Sequence, residues 1–352
     1  MTQLLPAEHP RRQSNAPRLP PGRGPVSERL RAALTSEPRP IEAVDVGDFE
    51  DPLADEDLQL SLYLCYELHY RGFDGVDFDW EWQPSLLAVR AALEARFEAG
   101  LYDAIGPPGD GAVDPERMDL ALREIADADE GPSLSSYVER EAGVEELREF
   151  MIHRSAYQLK EADPHTWAMP RMYGPPKAAI VEIQSDEYGG GRAERIHAQL
   201  FADAMDAVEL DPTYGAYLDR IPAPTLATVN LMSLFGLHRR WLGAIVGHLA
   251  LFEMTSSVPN RRYADGVRRL GFDGRATAFF DEHVLADAAH EAIAAVDLGG
   301  GLARQQPELG PQVLWGARAL DHVEGRWAAA ILAAWEAGES SLLPGAAATV
   351  RD

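Results

Sequence analysis

From Ser27 onward the apolar positions recur at helical spacing, and nowhere do they alternate with the period of two that marks a strand. The segment DEDLQLSLYLCYELHY, Asp55 to Tyr70, is apolar enough to predict a buried helix despite its flanking charges. LLAVRAALEARFEAGL is a helix by propensity, set between Pro84 and the break at Pro107-Pro108-Gly109. A second block opens near Val144, where GVEELREFMIHRSAYQLKEADPH predicts a helix ending before Pro164. Residues 171–191 look irregular and close on Gly189-Gly190-Gly191. Helices are then expected over 193–208, 225–256, 261–270 and 273–296, with Gly299-Gly300-Gly301 as a break before a last helix over 312–335. No internal repeat is present, so the expected class is all-α.

This pattern divides the chain into an N-terminal arm over 1–25, a helical extension over 26–143, a main helical domain over 144–340 and a tail over 341–352. The arm is rich in Pro and Arg and poor in large apolar residues, which predicts disorder. The apolar helices of the extension need a covering surface, so this region is expected to support a homodimer.

Composition narrows the function. Lys and Arg total 32 against 57 Asp and Glu, a formal charge of −25 that repels phosphate backbones and anionic lipid. Nucleic acid and membrane partners are therefore not expected. Most of these carboxylates must be solvated surface. Cys65 is the single cysteine, which leaves no intramolecular disulfide and no thiolate metal site and fits a reducing cytoplasm. The first thirty residues lack a signal-type apolar core, and no stretch looks long enough to span a bilayer, so a cytoplasmic location is expected.

Against this background His283-x3-Asp287-x2-His290 stands out. At about 100° per residue, positions i, i+4 and i+7 lie within roughly 60° of one another, so the three share one helix face. Two imidazoles and a carboxylate suit Fe(II) in a nitrogen and oxygen site. As a plain surface triplet they would need no metal. The neighbours Val284, Leu285, Ala286, Ala288, Ala289, Ile293 and Ala294 favour burial instead. Glu253, closing the apolar run LGAIVGHLALF, is costly to bury unless paired, or else marks where that helix surfaces. His197 has two candidate partners. Glu194 sits at the Glu-x2-His spacing of ferritin-like bundles, but no other histidine repeats that motif; Glu187 requires the chain to bend at the glycines.

Taken in order, EIQSDEYGGGRAERIHAQLF, HRRWLGAIVGHLALFEMTS, RRLG and FFDEHVLADAAHE resemble the haem-oxygenase-like diiron oxidases and oxygenases, or iron-containing redox enzymes, over about residues 145–340. The resemblance implies a bundle of about seven core helices, here with an N-terminal helical extension. It implies two irons, dioxygen as co-substrate and an electron donor. It places metal ligands on Glu187, His197, Glu253, His283, Asp287 and His290, at spacings of ten, 56, 30, four and three residues. These spacings are similar to those of N-oxygenating members, which also carry an extra carboxylate on an earlier helix; Glu161 stands where it would be expected. The implied reaction converts an amine, in an amino-acid-like or small natural-product precursor, to a hydroxylamine or a more oxidised nitrogen group.

Two alternatives stay open: oxidative C–C cleavage or desaturation of an aliphatic or amino acid, and a metal-free helical binding or dimerisation protein. His248 reads as a core histidine or a donor behind the ligands. His238, beside Arg239 and Arg240, is a candidate for a substrate carboxylate or part of a charged helix end. His153, His165 and His322 carry no assigned role. Gly189 to Gly191 lack the following Lys-Ser/Thr and the preceding strand of a phosphate cradle.

Overall fold

A computed structural model describes residues 16–345 except 43, 129, 130 and 132; the side chains of residues 286–289 also lie outside the description. The described residues contain helices and no strand. In chain order these are α1 (Pro25–Leu34), α2 (Glu56–Glu67), α3 (Pro84–Ile105), α4 (Met118–Asp127), α5 (Leu134–Arg140), α6 (Val144–Gln158) and α7 (Asp163–Thr166). There follow α8 (Gly174–Glu187), α9 (His197–Ala207), α10 (Ala223–Leu237), α11 (Leu242–Arg269), α12 (Gly274–Ala292), α13 (Gly301–Gln305) and α14 (Gly310–Glu336). Beyond residue 144, seven of them run for eleven residues or more: α6, α8, α9, α10, α11, α12 and α14.

Several boundaries differ from expectation. Residues 174–187 form a regular helix, because Gly174 and Pro175-Pro176 start one rather than prevent it. The expected 225–256 helix is two, broken at His238 where the backbone turns extended, and α11 then runs straight through Pro259. Around that proline, Thr255 Oγ1 and Asn260 Nδ2 donate to the carbonyls of Leu251 and Ser256, at 2.8 and 3.1 Å. Gly299 to Gly301 do not break the chain either. Residues 293–300 form a π-helical stretch between α12 and α13, with Gly299 and Gly300 packed on Met118.

The long helices α11 and α14 cross at the centre of the bundle with almost no separation. A Cβ on Gly247 would stand 1.8 Å from the Val313 carbonyl oxygen, and one on Gly316 would stand 2.1 Å from that of Ala244. Backbone therefore touches backbone, and only glycine permits it. The 31-residue stretch Arg239–Arg269 is long and apolar enough to span a membrane, contrary to the sequence reading, but 72% of its most apolar window is buried. It is the core helix of the bundle.

The N-terminal helices are not a separate layer. α2 packs against α1, α3 and α10, and Leu58, Leu60, Leu62 and Leu64 share one core with Leu231, Leu234 and Trp315. α2 is thus covered by helices of its own chain. Residues 16–24, placed in the disordered arm by the sequence, are tied down: Pro17 and Pro20 are buried, and Arg23 pairs with Glu56 at 2.7 Å. The rest of the arm and residues 346–352 of the tail lie outside the described residues.

Buried His153 joins α6 to α10 and the chain end, contacting Thr225 Oγ1 at 2.6 Å and Ser341 Oγ at 3.0 Å. Burial pushes its pKa down to about 3. The unfolded chain takes up a proton near pH 6.5 that the folded chain refuses. Stability contributed by neutral His153 is accordingly complete above pH 6.5 and declines below it, by at most about 1.4 kcal/mol per pH unit. Urea midpoints between pH 7 and 4 are expected to fall less steeply for His153→Gln than for the parent; equal slopes would contradict this.

Candidate functional site

Six of the seven sequence-derived candidates meet in the interior as two groups that share one carboxylate. Glu161, Glu187, His197 and His283 present donor atoms within 4.8 Å of one another, and so do Glu187, Glu253 and His290. All six are buried. The seventh, Asp287, lies on α12 between His283 and His290, and its side chain falls outside the described residues.

Local structure explains the convergence. Glu187 ends α8 and His197 begins α9. Between them Gly189, Gly190 and Gly191 all take positive φ, and a Cβ on Gly189 would lie 2.7 Å from the backbone of Arg195 and Ile196. Such a turn is open only to glycine, and it brings His197 Nδ1 to 2.9 Å from Glu187 Oε2. Glu194, the competing partner, is exposed. Glu161 lies past the end of α6, in the turn over residues 159–162, with Oε1 3.6 Å from His283 Nε2. His290 Nδ1 lies 3.4 Å from Glu253 Oε2. Along α12 His283 and His290 face inward, while Leu285, one of the apolar neighbours that suggested burial, is 75% exposed.

These contacts are close but not directed at one another. Glu161 Oε2, Glu187 Oε2, His197 Nδ1 and His290 Nδ1 are buried with no hydrogen-bond partner. His197 Nδ1 and Glu187 Oε2 nevertheless face each other at 2.9 Å, and His290 Nδ1 faces Glu253 Oε2 at 3.4 Å, so these are poorly aligned ion-pair contacts that a cation among them would satisfy better. The histidines are oriented from behind. His283 Nδ1 donates to the Phe279 carbonyl at 2.8 Å, and His290 Nε2 donates to Asp186 Oδ2 at 3.1 Å. Both arrangements leave the other ring nitrogen facing the carboxylates, as metal-ligating histidines require. The donor set is oxygen and imidazole with no thiolate, which suits iron.

Carboxylates and imidazoles in the site shift one another's protonation. Burial raises the Glu187 carboxyl, but the imidazoles of His197, His283 and His290 outweigh it and leave the pKa below the ordinary value. Burial lowers His290, but Glu253 and Asp186 overcome it and raise the pKa to about 9. Binding a cation in place of these protons releases them.

Two spaces adjoin the group. A small one of about 10 Å³ lies among Tyr157, Glu161, His165, Gln184, Glu187, Glu253 and His283. A larger cavity of about 410 Å³ opens onto Glu161 and His283 and is walled by Phe150, Phe201, Phe252, Phe279 and Phe280. Its polar residues include Arg154 and Glu324, which pair at 2.9 Å, with Gln158, Asn260 and Asp321.

The sequence reading missed Asp186; its place beside Glu187 in QSDE was the only available signal. It missed His165 too, which lines the small space and meets His248 at 3.0 Å, so His248 is a paired core histidine. His238 binds Glu94 at 2.9 Å and does not line the large cavity.

No curated protein matches the chain. The family described as iron-containing redox enzyme matches over residues 148–325, half of the chain and the stretch that carries all seven candidates. With its all-helical bundle and its buried cluster of carboxylate and imidazole groups, this chain belongs to the iron-containing redox enzymes of the haem-oxygenase-like superfamily.

Proposed function

We propose that the chain is a non-haem diiron oxygenase that uses O2 to oxygenate an amine nitrogen. The observation that carries the diiron reading is Glu187: one buried carboxylate common to two donor groups is the arrangement that holds two cations side by side. Glu161, His197 and His283 would complete one position, and Glu253 and His290 the other, with Asp287 between them in sequence. When bound there, a ferrous pair kept electron-rich by carboxylates supplies the reducing power for O2 activation.

The protein's own residues do the rest. The phenylalanines line the cavity beside Glu161 and His283 and give it apolar surface there. Gln158, Asn260, Asp321 and the Arg154–Glu324 pair offer donors and acceptors that orient the polar groups of an amino-acid-like substrate. Asp186 holds His290 in one tautomer, and the Phe279 carbonyl does the same for His283. The resemblance of the ligand spacing, Glu161 included, to N-oxygenating members supports nitrogen as the atom oxidised. An amine, O2, two protons and two electrons from a donor give a hydroxylamine and water. The same aromatic cavity also fits an aliphatic chain, which supports the second reading, C–C cleavage or desaturation of an aliphatic or amino acid. The convergence of six buried carboxylate and imidazole groups weighs against a metal-free binding module.

The test is incubation with Fe(II), a reductant, 18O2 and panels of amines, amino acids and fatty acids, with products identified by mass. A hydroxylamine carrying one 18O is expected; alkene or chain-shortened products would replace this reading with the second. His283→Ala and Glu253→Ala are expected to lose iron, and unchanged iron content would sink the site assignment.

A further inference from the structure

Glu161 differs from the other candidates in standing on no helix, so something else must fix it. Its turn is held at three points by other parts of the chain. Arg71 Nη2 donates to the Leu159 carbonyl at 2.9 Å, Lys160 Nζ donates to Glu67 Oε2 at 3.0 Å, and Gln184 Nε2 donates to the Ala162 carbonyl at 2.8 Å. Two of the three holders, Glu67 and Arg71, come from the end of α2 and the residues after it, outside the stretch matched to the family.

The Glu67–Lys160 pair is entirely interior, with the two residues 0% and 1% exposed. Tyr214 Oη also donates to Glu67 Oε2 at 2.6 Å, and the ammonium stands 4.2 Å from the centre of the Tyr70 ring. An ion pair this deep loses much hydration, and an apolar pair of similar volume is often at least as stable. What the charges add is direction: Lys160 can satisfy its ammonium in one place only, and Glu161 must follow. Beside it Ala162 sits at φ 74°, a conformation that alanine keeps only where its surroundings over-determine it.

We propose that Glu67, Lys160 and Arg71 are positioning residues of the metal site: the N-terminal helical region sets the turn that aims Glu161 at Glu187, His197 and His283. The inference rests on the reading that these groups bind metal, and it makes the N-terminal region part of the site.

The experiment is anaerobic Co(II) titration of the full-length chain, following stoichiometry, the affinity of each equivalent and the visible Co(II) spectrum. The parent is expected to take two equivalents. In Glu67→Met/Lys160→Met and in Arg71→Met, one equivalent should be retained at parent affinity by Glu187, Glu253 and His290. The other should weaken by about 10–100-fold, the usual loss when an outer partner of a ligand is removed. A merely structural role would weaken both equivalents together or neither, and either result in a folded variant overturns the proposal. Arg71→Met leaves the buried ion pair intact and decides the matter if the double variant does not fold. Arg71→Lys should restore part of the lost affinity, and no restoration would count against the proposal. A parent that binds no cobalt would fail in a different way, by removing the metal reading itself.

Discussion

Glu187→Ala is expected to empty both metal positions at once, the largest effect of any single ligand change. Each other described candidate falls in one donor group, whereas Glu187 belongs to both. Removing it takes an anionic donor from each of the two proposed cation positions and leaves His197 Nδ1 without the carboxylate 2.9 Å away. The loss at each position should exceed the roughly 10–100-fold that follows removal of a partner behind a ligand. Metal analysis after anaerobic loading with Fe(II) and desalting should give near two equivalents for the parent, at most one for Glu253→Ala and close to none for Glu187→Ala. Glu194→Ala is the matched control. It stands at the rival Glu-x2-His spacing but is exposed, and should keep the parent's iron. Two equivalents retained by Glu187→Ala would exclude a shared carboxylate.

The largest effect on stability is expected at the crossing of α11 and α14, with opposite signs at two glycines of one helix. Gly316→Ala drives a methyl into the Ala244 carbonyl oxygen, 2.1 Å from where it must sit, and the obstacle is backbone that no rotamer change can move. Separation of the two helices forfeits packing along both, so the cost belongs at the upper end of the roughly 1–3 kcal/mol of core overpacking, or above it. Gly325, two and a half turns further along α14, has nothing within 4 Å of its Cβ position. Gly325→Ala there should instead stabilise by about 0.5–1 kcal/mol through helix propensity. Urea unfolding of both variants checks the pair, and a neutral Gly316→Ala would show that the helices do not approach this closely.

The helical class was readable because apolar spacing is a local property, written into each segment. Boundaries were readable only where a local signal and the tertiary outcome agreed, as at the last helix, predicted over 312–335 and found at Gly310–Glu336. They failed where packing overrode the local signal. Pro259 and Gly299 to Gly301 are breakers by sequence, yet all lie within helical turns, the glycines packed closely against Pro115, Met118 and Pro176. The candidate ligands were legible because side-chain chemistry and ordered spacing survive in one dimension. Of the apolar neighbours that suggested burial of α12, Leu285 faces solvent while Ala294 is buried. What turns His283 and His290 inward is the demand for partners by buried polar groups, with Phe279 and Asp186 as the partners found.

The sequence by itself determined which residues can ligate a hard cation, that thiolate is not among them, and that the chain is helical, since these depend on residue type and spacing alone. Only the tertiary structure decided how closely Glu187 approaches His197, that Glu187 is common to both groups, and that the turn carrying Glu161 is held from the N-terminal helices. Each of these depends on how far the backbone turns at Gly189 to Gly191 and on contacts between residues as distant in sequence as Glu67 and Lys160. Spacing along a helix fixes angles within it, but the meeting of separate helices is set by packing, which no single segment encodes.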